Sequence, residues 1–205
     1  MRLALTKVLE PLRRAHNMRI IAGIYKSRTL KSMPGMDIRP TSDRLRETLF
    51  NVLCAGNSDA LVGSTWIDLF AGTGAVGIEA ISRGATQVYF VEKATAAARL
   101  IGENLESLKI ASGFQILERD AVTALRVLER QKVSADFVFL DPPYRMTETY
   151  SQVLSLLGET SVLRSFGQVI VENEKKFDPG EGFGSFERTR KLVQGDAALS
   201  FYRRK

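Results

Sequence analysis

From Trp66 to Glu172 the chain alternates short apolar runs with longer amphipathic ones, and the two differ in period. Trp66–Phe70, Gln87–Val91, Gln115–Leu117, Asp136–Leu140 and Gln168–Glu172 are rich in large and β-branched residues, as strands buried on both faces must be. Between them, Gly74–Arg83, Thr95–Leu108, Ala121–Arg130 and Thr147–Leu157 repeat their apolar positions at helical spacing. Strand and helix in strict alternation predict an α/β fold with a doubly wound, mostly parallel sheet. Ser185–Leu192 and Leu199–Tyr202 then flank Gly195-Asp196, which predicts a C-terminal antiparallel hairpin closing that sheet.

Upstream of Trp66 the pattern is different. Met18–Lys31 mixes β-branched, basic and turn residues and reads as a small N-terminal β-hairpin, followed by a turn at Met33-Pro34-Gly35-Met36. Pro40-Thr41-Ser42-Asp43 reads as a helix start with Thr41 or Ser42 as its N-cap, and Leu45, Leu49, Val52 and Leu53 line one face of that helix. Leu5, Val8, Leu9 and Leu12 lie at helical spacing, but the segment before Met18 has no apolar core of the signal-peptide kind. Met18 is itself a possible start. The expected organisation is therefore an extension over 1–17, a hairpin over 18–40 and a main domain over 41–205.

Composition narrows the chemistry. With 205 residues the chain can bury one full core, and no apolar run approaches the roughly 18 residues of a membrane span. The single cysteine, Cys54, rules out an internal disulfide and fits a reducing, cytoplasmic setting; its place at the end of an amphipathic helix reads as a buried, inert thiol. One histidine, His16, and no Cys/His cluster leave no expectation of a metal. The net charge of +6 admits a polyanionic partner. Basic residues crowd the N-terminal quarter against four acids (Glu10, Asp37, Asp43 and Glu47), and a second group spans Arg188, Arg190, Lys191, Arg203, Arg204 and Lys205. If both ends flank one face, a basic rim results.

Asp68-Leu69-Phe70-Ala71-Gly72-Thr73-Gly74 ends the first strand and opens the first helix, and Gly72, Gly74 and Gly77 match the G-x-G-x-x-G spacing of nucleotide-binding turns. That spacing alone fits a nicotinamide cofactor as well as other ligands. The acid three residues before Ala71 tips the balance, because a carboxylate there can hold an amino group but gains nothing from a pyrophosphate. Glu92 and Asp120 end the next two strand regions, where they can accept from ribose hydroxyls and from an adenine amine. Asp141-Pro142-Pro143-Tyr144 follows the fourth strand. Its two prolines remove donors and force a rigid exit from the sheet, at the edge where such sheets bind ligands. A carboxylate beside an aromatic ring suits a planar nitrogen substrate.

In that order these motifs resemble those of class I methyltransferases that modify amino nitrogens. Arg19-Ile20-Ile21-Ala22-Gly23, Arg39-Pro40-Thr41-Ser42-Asp43-Arg44-Leu45-Arg46-Glu47-Thr48-Leu49-Phe50-Asn51 and Glu79-Ala80-Ile81-Ser82-Arg83-Gly84-Ala85 sharpen the likeness. From about Met18 to Glu172 the chain is similar to the RsmD family of bacterial 16S rRNA guanine-N2 methyltransferases. The resemblance implies a Rossmann-like class I fold and S-adenosylmethionine as cofactor, held by Asp68, Phe70, Ala71, Gly72, Thr73, Gly74, Glu92, Lys93, Asp120, Ala121 and Asp141. It implies as substrate a guanine N2 amine of 16S rRNA, presented on an assembled or assembling small subunit to a monomeric enzyme.

Asp141 and the Pro142 carbonyl are then expected to accept the N2 hydrogens, Pro143 to stiffen the elbow and Tyr144 to stack on the base. Arg19, Lys26, Arg28 and Lys31 of the predicted hairpin, with Arg44, are the candidate phosphate contacts. The competing readings are methylation of adenine N6 or of a glutamine amide, a nicotinamide oxidoreductase, and a non-catalytic RNA-binding factor.

Overall fold

A computed structural model describes residues 18–32, 40–143 and 145–205, the side chains of 40–42 excepted. In chain order its elements are α1 (Pro40–Leu53), β1 (Thr65–Leu69), α2 (Ala75–Ser82), β2 (Gln87–Val91), α3 (Thr95–Ser107), β3 (Phe114–Leu117), α4 (Ala121–Arg130), β4 (Ala135–Leu140), α5 (Thr147–Glu159), β5 (Leu163–Glu174), β6 (Gly182–Phe183), β7 (Phe186–Gln194) and β8 (Ala197–Arg204). β1 is buried at four of its five positions, so it needs a helical layer on each side. One layer is α1, α2 and α3, which pack Leu49, Phe50, Ile78 and Ile101 against Trp66, Phe90, Phe139 and Ile170. The other is α4 and α5, which pack Leu125, Leu128, Val153 and Leu157 against Ile67, Val91, Val138 and Val171.

The strands lie in the order β3-β2-β1-β4-β5-β8-β7-β6. β1 to β5 are parallel, and β6 to β8 join antiparallel beyond β5. From β1 the chain first winds outward to β2 and β3, then returns to start the other half with β4. The reversal opens a crevice at the carboxyl ends of β1 and β4, the place where open α/β sheets bind ligands.

Three sequence expectations are modified. The predicted N-terminal hairpin is a tight loop with one bridge, Arg19 to Thr29, rather than two strands. The N–H groups of Ile21 and Ala22 donate instead to the Glu79 carboxylate, at 2.7 and 2.9 Å, which ties the loop to α2. Gly23 permits this approach, because a Cβ there would stand 1.8 Å from the Ser82 carbonyl oxygen. Ile20 and Leu30 consequently enter the main core.

The second change concerns α1, which already includes Pro40, so Thr41 and Ser42 lie within the helix rather than capping it. Proline suits a first helical turn, where an N–H would go unpaired anyway. The third is Cys54, which falls in the turn after α1 and is half-buried. Residues 1–17, with His16, and the predicted turn at Met33–Met36 lie outside the described residues. No helix among the described residues is long and apolar enough to cross a membrane.

Candidate active site

After Leu69 the chain leaves the sheet through three left-handed residues within five positions: Phe70 (φ 64°), Gly72 (φ 54°) and Gly74 (φ 79°). A phenylalanine in that region is strained, and such strain gathers at ligand-binding turns. The surrounding contacts hold it. Ala71 N–H donates to Val91 O at 2.9 Å, and the Glu92 carboxylate accepts from Gly72 N–H at 2.9 Å and from Ala94 N–H at 2.8 Å. One side chain thus braces both the glycine turn and the start of α3. Each carboxylate oxygen keeps a further lone pair for a ligand.

Asp68 is 1% exposed and accepts from Gly77 N–H at 2.8 Å, pinning the first turn of α2. Burial, with Asp141 and Glu92 nearby, raises its pKa to about 7. Gly77 lies so close to β2 that a Cβ would sit 2.3 Å from the Phe90 ring. In the G-x-G-x-x-G spacing the third glycine therefore serves helix-on-strand packing. Thr73 is buried, and its carbonyl accepts from Asn104 Nδ2 at 3.0 Å.

Asn104, fully buried on α3, also accepts from Lys31 N–H at 2.8 Å and donates to Lys31 O at 3.1 Å. It joins the N-terminal loop to the glycine turn. Sequence reasoning missed it, although a lone amide on the apolar face of a helix was a usable signal.

Asp120 caps α4, accepting from Thr123 N–H at 2.9 Å, and that bond holds its pKa below the usual carboxylate range. It is exposed at the carboxyl edge, and the Thr123 hydroxyl also donates to its carboxylate. Ala121 is buried beneath it and Lys93 is exposed beside it. The structure therefore gathers Asp68, Phe70–Gly74, Glu92, Lys93, Asp120 and Ala121 along one edge, with the two outer acids already engaged by backbone.

Asp141 follows β4 directly. It is half-buried, Pro142 is buried and Pro143 is exposed. Among the described residues no group donates a hydrogen bond to the Asp141 carboxylate, and burial raises its pKa to about 7. The Pro143 carbonyl accepts from Met146 N–H at 2.8 Å, which turns the chain into α5. Tyr144, the expected stacking ring, lies outside the described residues. Glu172, two residues before the end of β5, was missed by sequence reasoning. It closes an apolar run with an acid, as Asp141 does after Phe137–Leu140, and that repetition was the available signal. Burial, then Asp141, push its pKa well up, while Arg46 pulls it down.

Arg46 of α1 is 5% exposed and donates to Arg19 O at 2.6 Å and to Asp43 Oδ1 at 3.0 Å. Its Nε lies 3.9 Å from Glu79, which also pairs with Arg83 at 2.8 Å. Next to this cluster is a cavity of ≈ 490 Å³ lined by Arg19, Lys26 and Arg44 together with Asp43, Glu47 and loop backbone. Three of the five candidate phosphate contacts converge there. The other two do not: Lys31 pairs with Glu103 at 2.8 Å, and Arg28 donates to Ser107 O at 3.4 Å, both on α3. Among the described residues, no group of three or more His, Cys, Asp or Glu side chains is placed to hold a metal ion.

A parallel half-sheet that reverses between β1 and β4, antiparallel strands added past β5, and acid-bearing turns along the carboxyl edge define the Rossmann-like class I methyltransferase fold. The chain belongs to the RsmD family, described as Conserved hypothetical protein 95, whose family model matches residues 18–203. The ribosomal RNA small subunit methyltransferase D of Haemophilus influenzae is 36% identical over 159 residues, covering 77% of this chain and 79% of its own. That of Escherichia coli K12 is 31% identical over 187 residues, covering 91% and 90%. Among solved structures, a hypothetical protein of Thermus thermophilus aligns with a TM-score of 0.76 at 25% identity, over 91% of this chain and 99% of its own. TrmN from the same organism aligns at 0.63 with 20% identity, over 78% and 48%, a likeness of fold alone.

Proposed function

We propose that this protein transfers a methyl group from S-adenosylmethionine to the exocyclic N2 amine of a guanine in 16S ribosomal RNA, acting in the cytoplasm on an assembled or assembling small subunit. The observation that carries this reading is Asp141: a carboxylate free of described partners, fixed by two prolines where the strand order reverses, alongside the glycine turn. The names of the relatives support ribosomal RNA as the substrate.

The residues present fit the cofactor. Asp68 is a buried carboxyl and Asp141 a half-buried one, both with raised pKa; each gains by meeting positive charge, and S-adenosylmethionine carries an ammonium and a sulfonium. Phe70–Gly74 and Glu92 would hold it, with Asp120, Ala121 and Lys93 at the far end of the edge. A nicotinamide cofactor would instead set its pyrophosphate against Asp68 and Glu92, which repel it. Bound in this crevice, S-adenosylmethionine supplies a methyl group on a cationic sulfur.

The protein's own part is to make a poor nucleophile better. The N2 lone pair of guanine is delocalised into the ring. Asp141 and the Pro142 carbonyl accept the two N2 hydrogens, which favours a pyramidal amine with its lone pair directed outward. This is positioning with charge complementarity. With a proton affinity near neutrality, the Asp141 carboxylate can also take the proton that the amine sheds. The rigid elbow fixes where the amine stands, and Tyr144 is placed by sequence to stack on the base. Arg19, Lys26 and Arg44, around their shared cavity, would take phosphates.

The test incubates purified protein with S-adenosylmethionine and small subunits lacking the modification, followed by mass mapping of nucleosides. N2-methylguanosine at one position is expected, and Asp141→Ala should lower the rate on the order of a hundredfold or more. Near-normal transfer by that variant would remove Asp141 from the chemistry.

A further inference from the structure

Asp141 has a neighbour that its own motif does not contain. β4 and β5 run parallel with Leu140 beside Val171, so Asp141 and Glu172, the next residue of each, are neighbours, and each feels the other's charge. Strand alternation puts both on the face of Phe139 and Ile170, which is covered by α1, α2 and α3. Glu172 is half-buried, and its backbone carbonyl accepts from Tyr150, but no described group donates to its carboxylate. Arg46 is the cation within its electrostatic reach, and the buried Nε of Arg46 has no hydrogen-bond partner among the described residues. Arg46 is fixed to Asp43 and to the Arg19 carbonyl, both on the wall of the cavity, so the arginine that acts on Glu172 is anchored at that cavity. Two half-buried acceptors side by side call for a ligand with two adjacent donors.

We infer that Glu172 is a specificity-determining residue that accepts the N1–H of the target guanine while Asp141 accepts from its N2 amine. This rests on the guanine reading above and extends it to base selection. Guanine presents N1–H and N2–H donors together. Adenine has a lone pair at N1 and cytosine one at N3, so either would set an acceptor against Glu172. Asp141 alone asks for an amine. Glu172 beside it asks for guanine.

The experiment uses the full chain and an RNA substrate in which the mapped target guanosine is replaced by 2-aminopurine ribonucleoside, which keeps the 2-amino group but has an acceptor at N1. Assayed at alkaline pH, where the Glu172 carboxyl is ionised and accepts only, wild type should favour guanine in kcat/KM on the order of ten- to a hundredfold, the discrimination of a good base contact. Glu172→Gln should shrink this preference to a few-fold, because an amide can accept from N1–H or donate to a bare N1. Binding of S-adenosylmethionine, measured by calorimetry, should stay within about twofold of wild type, consistent with a contact to base rather than to cofactor. Equal rates of wild type on both substrates would overturn the inference, whatever the variant does. So would an equal fall of Glu172→Gln on both substrates, or its loss of cofactor binding. No methyl transfer to the guanine substrate by wild type would instead refute the guanine reading itself.

Discussion

Replacing Asp68 by asparagine should stabilise the protein while weakening its function, in a manner that depends on pH. Asp68 is 1% exposed, and its pKa rises from an ordinary 3.8 to about 7, mainly because burial penalises the charge. A carboxyl whose folded pKa exceeds its unfolded value holds its proton longer in the folded state. Stability therefore falls as pH climbs from about 4 to about 7 and is level above that. The whole rise corresponds to about 4 kcal/mol. Coupling to Asp141 and Glu92 spreads the effect over several groups, so about 2–4 kcal/mol is expected for this site. Asparagine cannot ionise, yet its carbonyl oxygen can still accept from Gly77 N–H, now at 2.8 Å. Urea unfolding of the unliganded protein at a series of pH values should find Asp68→Asn equal to wild type near pH 4, and more stable by that margin at pH 8. S-adenosylmethionine should bind the variant more weakly at pH 8. A stability difference independent of pH, or a variant less stable than wild type at pH 8, would refute the reasoning.

Two further outcomes follow from the packing and the charge distribution. Gly77→Ala should destabilise by about 1–3 kcal/mol in chemical denaturation despite alanine's better helix propensity, because its Cβ would meet the Phe90 ring at 2.3 Å, and Phe90→Leu should recover part of the loss. Charge reversal at Lys26 and Arg44, which line one cavity, should weaken ribosomal RNA binding and reduce the salt dependence by about 0.7 in log–log slope per lost phosphate contact. The same reversal at Lys31 and Arg28, already occupied on α3, should change that slope little; equal effects from both pairs would show that the cavity is not the contact surface.

The parallel half of the fold was legible because strand and helix leave different periods, and β1 to β5 with α2 to α5 lie where those periods place them. Boundaries were less legible where pairing rather than composition sets length. β5 runs from Leu163 to Glu174, and its early residues are too polar to announce a strand. The N-terminal loop shows why local pattern fails: its alternation suits a hairpin, but Glu79, some 58 residues away, takes the N–H groups that a second strand would use. No local window contains that competitor. Arg46 was invisible for the same reason, and the lone amide of Asn104 signalled a partner without naming it, since each acts by joining segments far apart in sequence.

The site acids differ in what the fold already asks of them, and this separates their roles. Glu92 and Asp120 sit at strand ends, but backbone N–H groups of the glycine turn, α3 and α4 already use their oxygens. They can serve a ligand while keeping the crevice in shape without one. Asp68 is intermediate, with one oxygen on Gly77 and a proton affinity near neutrality. Asp141 and Glu172 accept from no described donor, and burial makes both costly to ionise. Groups that stabilise nothing and cost something when charged belong at the reacting centre, because a bound partner with cationic or donor character repays the cost. On this argument the edge grades from bracing at β2 and β3 to chemistry at β4 and β5. Substitutions at Glu92 or Asp120 should therefore lower stability together with cofactor affinity, whereas substitutions at Asp141 or Glu172 should spare the fold and strike the target base.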